Sequence, residues 1–254
     1  MVGIAERAQT LHLRLNPAVE LAPFADKFRS EGMVQIPLLF EDGSAESLRQ
    51  LLTQNTPWRL TILEDGKPMS YSLAGIQQLG GQPVLQAKLK KVHEAARKQG
   101  GYCFYQYPMS QARFQGWDIG HPIHQLTDFL NTDAFLDIGR AITGEPRINK
   151  AEAMASLYAP GHFLTRHIDH GSNGERRAAY VIGMTRDWQA DWGGLLLFYN
   201  ERKDVIAGFT PRYNVITIFD TKYEHAVSQV ANFAGAGRYS IAGWFRDDPA
   251  EKVF

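Results

Sequence analysis

The sequence holds a single cysteine, Cys103, among 254 residues. No disulfide can form within the chain, so the fold does not depend on an oxidising compartment. Neither sign of charge is in excess, because 27 Lys and Arg balance 27 Asp and Glu. A chain whose main work is neutralising phosphates carries a surplus of cations, so direct nucleic-acid binding is not expected here. Long apolar runs are missing too. No stretch approaches the ~18 uninterrupted apolar residues of a membrane span. The first residues include Glu6 and Arg7 and lack the apolar stretch of a secretory signal. The expectation is a cytoplasmic protein without a membrane partner. No repeat, low-complexity tract or Pro/Gly/Ser-rich linker divides the chain, which reads as one domain over 1–254.

What is present is 44% apolar residues, enough for a sizeable core. The two halves differ in texture. In 1–150 helical rhythms dominate. Leu21, Phe24, Ala25 and Phe28 repeat at helical spacing within 16–30. Residues 44–54 read as a helix with Ser44 at its N-cap, and 82–99 as a strong helix closed by Gly100 and Gly101. Residues 121–144 read as two short helices. Between them, 33–40 is a short strand and 58–73 a hairpin turning at "EDGK". Cys103, in the aromatic run "GGYCFYQY", reads as a buried packing residue. From about 150 the chain becomes a series of short segments rich in β-branched and aromatic residues, separated by turn signals. Many short strands in series suggest a jelly roll with helices on its outside.

The chemistry gathers in "LYAPGHFLTRHIDHG", residues 157–171. On a strand, His167 and Asp169 at i and i+2 leave the same face. An imidazole and a carboxylate so placed form two corners of a metal site, and a third ligand is required. His225, directly after the strand-like "YNVITIFDT", is the best candidate. Two histidines and one carboxylate on one face are the ligand set of non-haem Fe(II) sites, with positions left open for substrate. Arg238 begins the strand "RYSIAGWF", and Ser240 leaves the same face. A guanidinium grips a carboxylate bidentately, and a hydroxyl adds a hydrogen bond.

In order and spacing, "YAPGHFLTRHID", "RRAAYVIGMTRDWQADWGGLLLFY", "PRYNVITIFDTKYEHAVSQV" and "GRYSIAGWF" resemble the 2-oxoglutarate- and Fe(II)-dependent dioxygenases. Within that superfamily they resemble the prolyl 4-hydroxylase-like branch. The "GWF" ending is most like the part that contains ribosomal-protein prolyl hydroxylases and their bacterial relatives. The likeness covers 154–246, and the N-terminal half matches only in general layout. The resemblance implies a double-stranded β-helix, that is, a cupin-like jelly roll. Residues 151–246 would be its catalytic core, and 1–150 a helical support that also supplies the substrate loops. It makes His167, Asp169 and His225 the iron ligands, Arg238 the anchor of 2-oxoglutarate, and Tyr158 a contact of that co-substrate. Ascorbate would be an optional supporting reductant. The implied reaction is hydroxylation of a prolyl residue in a protein or peptide, with decarboxylation of 2-oxoglutarate to succinate. The carboxylate Asp169 favours hydroxylation, since related halogenases lack it to make room for halide. One position departs from the pattern. In the oxygen-sensing prolyl hydroxylases a strand tyrosine helps hold the far carboxylate of 2-oxoglutarate, and the matching position here falls near Gly183. Ser240, or Tyr180 in a different register, is the expected substitute.

Plainer readings stand beside these. Tyr158 serves equally well as a packing residue. His162 and His170 read as bystanders near the mouth of the site, and His121 and His124 as capping or surface residues. Trp188 and Trp192 read as loop packing, and Trp244 as pocket floor or core. Gly193 and Gly194 read as backbone geometry at the start of a strand. An oxygenase of free amino acids or metabolites, and a metal-free cupin-like binding module, both keep the same barrel. A homo-oligomer is compatible with the sequence.

Overall fold

The computed structural model describes residues 10–169, 171 and 173–249. Helices and strands alternate through the first half: α1 (Ala22–Glu31), β1 (Met33–Pro37), α2 (Asp42–Gln50), β2 (Arg59–Glu64), β3 (Lys67–Ser72), α3 (Leu73–Gln78), α4 (Gln82–Gln99), β4 (Tyr102–Tyr107), α5 (Met109–Gln115), α6 (Ile123–Leu130) and α7 (Asp133–Thr143). Strands dominate the second, with one short 3-10 turn at Ala190–Trp192: β5 (Lys150–Tyr158), β6 (Phe163–His167), β7 (Arg176–Met184), β8 (Leu196–Tyr199), β9 (Val205–Phe209), β10 (Tyr213–Phe219), β11 (His225–Val227) and β12 (Arg238–Arg246).

The strands pair antiparallel in the order β1-β10-β7-β12-β5-β4-β6-β11-β8-β9. The sheet is rolled so that its two arms face each other. Phe198 on β8 meets Phe219 on β10 edge to face at 5.0 Å. One buried cluster joins Met33, Ala179 and Phe219 of one arm to Leu196 and Phe198 of the other. Strand β4 is the hinge of the roll, pairing with β5 through Tyr105–Tyr107 and with β6 through Tyr102 and Cys103. The sequence reading assigned no strand here; its aromatic run is a strand because one face lines the barrel while the other packs under α4.

Alternation decides which residues meet. On β7 and β12, Tyr180, Ile182, Ile241 and Phe245 face outward into the core beneath α2 and α5–α7. Burying such side chains contributes about 1.5–3 kcal/mol each. Their neighbours Gly183, Arg238, Ser240 and Trp244 face inward. Tyr180 therefore cannot substitute at the carboxylate pocket: it donates to the Glu152 carbonyl on the helix side, 2.9 Å away.

The β2–β3 hairpin turns at Asp65 and Gly66, both at positive φ, as expected of "EDGK". Helix α4 spans the residues expected for it. Two expectations need correcting. The first helix starts at Ala22, because Asn16 instead closes a turn by accepting from the N–H of Val19 and Ala18. Ser44 does not cap α2, which begins at Asp42. Its hydroxyl accepts from the Arg14 N–H and donates to the His12 carbonyl, tying down the N-terminal segment instead. Among the described residues, no helix is long and apolar enough to cross a membrane.

Candidate active site

His225 and His167 are direct cross-strand partners on β11 and β6. Their rings lie 4.2 Å apart, centroid to centroid. Asp169 follows two residues after His167 and returns to the same face. Its carboxylate oxygens stand 3.6 Å from His167 Nε2 and 3.3 Å from His225 Nε2. Metal bonds of about 2.1 Å meeting at right angles leave donors about 3 Å apart, so this spacing fits one shared ion. Among the described residues, this is the one group of three His, Cys, Asp or Glu able to hold a metal.

The ring orientation also fits. His167 Nδ1 sits 3.0 Å from the Thr165 carbonyl, and His225 Nδ1 sits 3.0 Å from the Tyr223 carbonyl. A carbonyl only accepts, so each Nδ1 carries the proton and each Nε2 turns a lone pair inward. Burial, then the charge of His225, pulls the His167 pKa down and keeps its ring neutral. Burial works to raise the Asp169 pKa, but the hydrogen bond with His225 and the charges of both histidines outweigh it, leaving the carboxyl below its ordinary range. The Trp244 indole N–H is turned toward this carboxylate, short of a closed hydrogen bond, and adds to the lowering. Two imidazole nitrogens and one carboxylate, with no thiolate, suit a divalent ion with mixed N/O ligation. Phe219 packs edge-on against His225 at 4.7 Å and shields it from water.

At the other end of the inner face, Arg238 is buried at 5% exposure. Its Nε has no hydrogen-bond partner. Burial lowers its pKa, and Tyr158, whose ring face lies 5.1 Å from Cζ, offsets this in part. Tyr158 in turn stacks on Phe104 at 4.9 Å. A buried guanidinium without a carboxylate partner is costly unless an anion arrives. Arg238 shares a cavity with Ser240, Gly183, Thr217 and Gln35. Gly183 offers no side chain because there is no room: a Cβ there would lie 2.2 Å from the Arg212 carbonyl oxygen. Ser240 Oγ is 2.8 Å from Ser156 Oγ on the neighbouring strand.

The remaining histidines are elsewhere. His162 is not at the mouth. It sits in the β5–β6 turn at the far end of β6 from His167, five residues or about 16 Å away along a strand. It is buried against Tyr105, and burial pushes its pKa down to about 4. His170 lies outside the described residues. His121 accepts the Ile123 N–H at 3.2 Å, and His124 meets the Trp117 carbonyl at 2.7 Å, so both are used within the helical half. Trp188 donates to the Gly193 carbonyl and packs edge-on against Trp192. Gly193 is held at φ 67° with the Gln229 carbonyl where a Cβ would stand. Burial pushes the Cys103 thiol up to about 12, leaving no nucleophile.

Sequence reasoning missed Arg176. Its guanidinium lies on the Trp244 ring with Cζ 3.6 Å from the centroid, and it pairs with Glu152 at 3.5 Å. Its Nε is buried without a partner. Nothing in the local sequence marks it beyond its place at the start of a strand. Gln35 and Thr217 were missed as well, although each is a polar residue inside an otherwise apolar strand pattern.

Residues 153–246 match the family model of the 2OG-Fe(II) oxygenase superfamily. No curated protein matches the chain in sequence. Among solved structures, a 2OG-Fe(II) oxygenase family oxidoreductase from Burkholderia pseudomallei superposes with TM-score 0.60 at 15% identity, covering 94% of this chain and 96% of that one. A Pseudomonas putida prolyl-4-hydroxylase gives TM-score 0.50 at 18% identity, over 91% of this chain and 100% of the other. A Trichoplax adhaerens prolyl hydroxylase, solved with a peptide fragment of the hypoxia inducible factor oxygen degradation domain, gives 0.56 at 18%, over 89% and 88%. The shared fold is the double-stranded β-helix, a curled antiparallel barrel with flanking helices.

Proposed function

We infer that this chain is an oxygenase of the kind whose family model residues 153–246 match, the 2OG-Fe(II) oxygenase superfamily: it hydroxylates a prolyl residue of a protein or peptide and, with dioxygen, converts 2-oxoglutarate to succinate and carbon dioxide. The observation that carries the reading is the pairing, inside one barrel, of the His167–Asp169–His225 cluster with the buried, unpaired Arg238. The oxidant is dioxygen, one oxygen atom of which would go to the prolyl C–H bond and the other to succinate; Fe(II) and 2-oxoglutarate, when bound, would supply the chemistry by which it attacks an unactivated C–H bond.

The chain's own residues do the rest. His167, Asp169 and His225 hold the ion, with the Thr165 and Tyr223 carbonyls fixing ring orientation. Arg238 seats the far carboxylate of the co-substrate, and the Tyr158 ring, stacked on Phe104, walls that end against water. Trp244 and Arg176 form the wall beside Asp169 on which a substrate side chain rests. The 45%-exposed Ile168, between two ligands, gives that side chain an apolar contact at the mouth. The prolyl assignment is supported by the fold shared with prolyl hydroxylases, one of them solved with a peptide.

The test compares the proteome of a deletion strain with its parent by mass spectrometry. The reading expects a protein that loses one oxygen atom on a proline in the deletion strain, restored by wild-type protein but not by His167→Ala. If purified enzyme makes succinate while every prolyl modification is unchanged and a free metabolite is oxidised instead, the prolyl assignment is wrong and the oxygenase stands.

A further inference from the structure

Inside the barrel, the donors near Arg238 outnumber the acceptors. Arg238 Nε has no partner. Thr217 is 4% exposed, and its hydroxyl accepts the Gln35 carboxamide N–H at 3.1 Å. Among the described residues nothing accepts the Thr217 proton. The second Gln35 N–H is likewise unclaimed among the described residues. The Ser240 and Ser156 hydroxyls share one hydrogen bond at 2.8 Å in which either can donate, and Ser156 also reaches the Ser240 carbonyl at 3.4 Å, so this pair satisfies itself. All of Gln35, Thr217, Ser240 and Arg238 line one cavity, and no Asp or Glu lines it with them. Buried hydroxyls and amides are almost always satisfied in a finished structure, and a set of unclaimed donors around one cation is satisfied by a carboxylate.

We propose that Gln35 and Thr217 complete the seat of the co-substrate's far carboxylate, so that β1, outside the matched residues 153–246, is part of the oxo-acid site. This rests on the oxygenase reading above. The physical reason lies at Gly183. The Arg212 carbonyl occupies the space where a side chain on β7 would enter the cavity, so no donor comes from that strand. The next strands across the sheet are β10 and β1, where Thr217 and Gln35 stand directly opposite each other. Gln35 steers Thr217: by donating to its oxygen, the amide turns the hydroxyl proton away from β1 and into the cavity. Thr217, in the otherwise apolar "YNVITIF", is a hydroxyl expensive to bury unless its proton finds an acceptor.

The experiment measures anaerobic binding of two oxo acids to the Mn(II)-loaded protein by calorimetry. One is 2-oxoglutarate; the other is 2-oxopentanoate, which chelates metal identically but ends in a methyl group. Their affinity ratio isolates the far carboxylate. Gln35→Met and Thr217→Val should each lower that ratio about tenfold, the loss of one hydrogen bond to a charged group, with Mn(II) affinity unchanged. Gln35→Glu, which sets a carboxylate against a carboxylate, should lower it further without weakening 2-oxopentanoate. A purely structural cross-strand pair would lower the melting temperature of the variants and leave the ratio at the wild-type value, which overturns the proposal while the oxygenase reading survives. Wild-type protein that binds neither oxo acid overturns both.

Discussion

The two ends of the barrel interior are built from opposite chemistry. At the mouth, His167, Asp169 and His225 turn two lone pairs and a carboxylate toward one point. At the other end, Arg238, Ser240, Thr217 and Gln35 line one cavity with no Asp or Glu among its described lining residues, and Arg238 Nε has no hydrogen-bond partner among the described residues. One end has the donor set of a cation site and the other that of an anion site, on the same inner face. Each is costly to bury alone. A metal ion at one end and a molecule with chelating oxygens at its head and a carboxylate at its tail satisfy both. The contrast accounts for why a chain of zero net charge keeps an unpaired arginine in its core.

The largest effect should come from breaking the cation end. Asp169→Ala removes the only charged ligand, and Fe(II) or Mn(II) affinity should fall by at least about 100-fold, measured by metal titration of the purified protein. Arg238 should still be there to find an oxo acid, but without a metal the binding heat should vanish. Breaking the anion end should be selective. Arg238→Leu should weaken 2-oxoglutarate about 100-fold, the scale of a bidentate charge-assisted pair, and leave metal affinity intact. The tenfold losses expected at Gln35 and Thr217 come next and refine the same end. Equal losses of metal and oxo-acid affinity in the Arg238 variant would show that the two ends are not separable.

The smallest effect concerns His162, which belongs to neither end. Its pKa in the fold is about 4 against an ordinary 6.5. Between those values the unfolded chain binds the proton and the folded chain does not. Stability is therefore complete above about pH 6.5 and declines as pH falls toward 4, by up to about 1.4 kcal/mol per pH unit. His162→Phe should flatten that part of the wild-type curve in urea unfolding, while metal binding at neutral pH is untouched.

The two ends also differ in how legible they are in sequence. His167 and Asp169 are visible because a two-residue spacing on a strand dictates a shared face, and His225 because it follows a strand that must return to the sheet. Arg238 and Ser240 are visible by the same alternation. The rest depends on which strands become neighbours. Gln35 and Thr217 are 182 residues apart and meet through the β1–β10 pairing. Tyr180 was an open alternative because a one-residue change of register exchanges the two faces, and the observed register sends it to the helices. His162 was misplaced to the mouth because its nearness in sequence to His167 hides that β6 runs the length of the barrel between them. The hairpin at Asp65–Gly66 and helix α4 were legible because turn chemistry and helical period are local, whereas β4 is a strand only through its place at the hinge of the roll.

The central claim is that one small molecule joins the two ends. The direct measurement is anaerobic absorption spectroscopy while 2-oxoglutarate is titrated into the Fe(II)-loaded protein. The account predicts a saturable metal-to-ligand charge-transfer band that requires both Fe(II) and 2-oxoglutarate. It should be absent in Asp169→Ala and should move to much higher 2-oxoglutarate concentration in Arg238→Leu. A band that forms equally well in the Arg238 variant, or oxo-acid binding that is the same with and without metal, would contradict it.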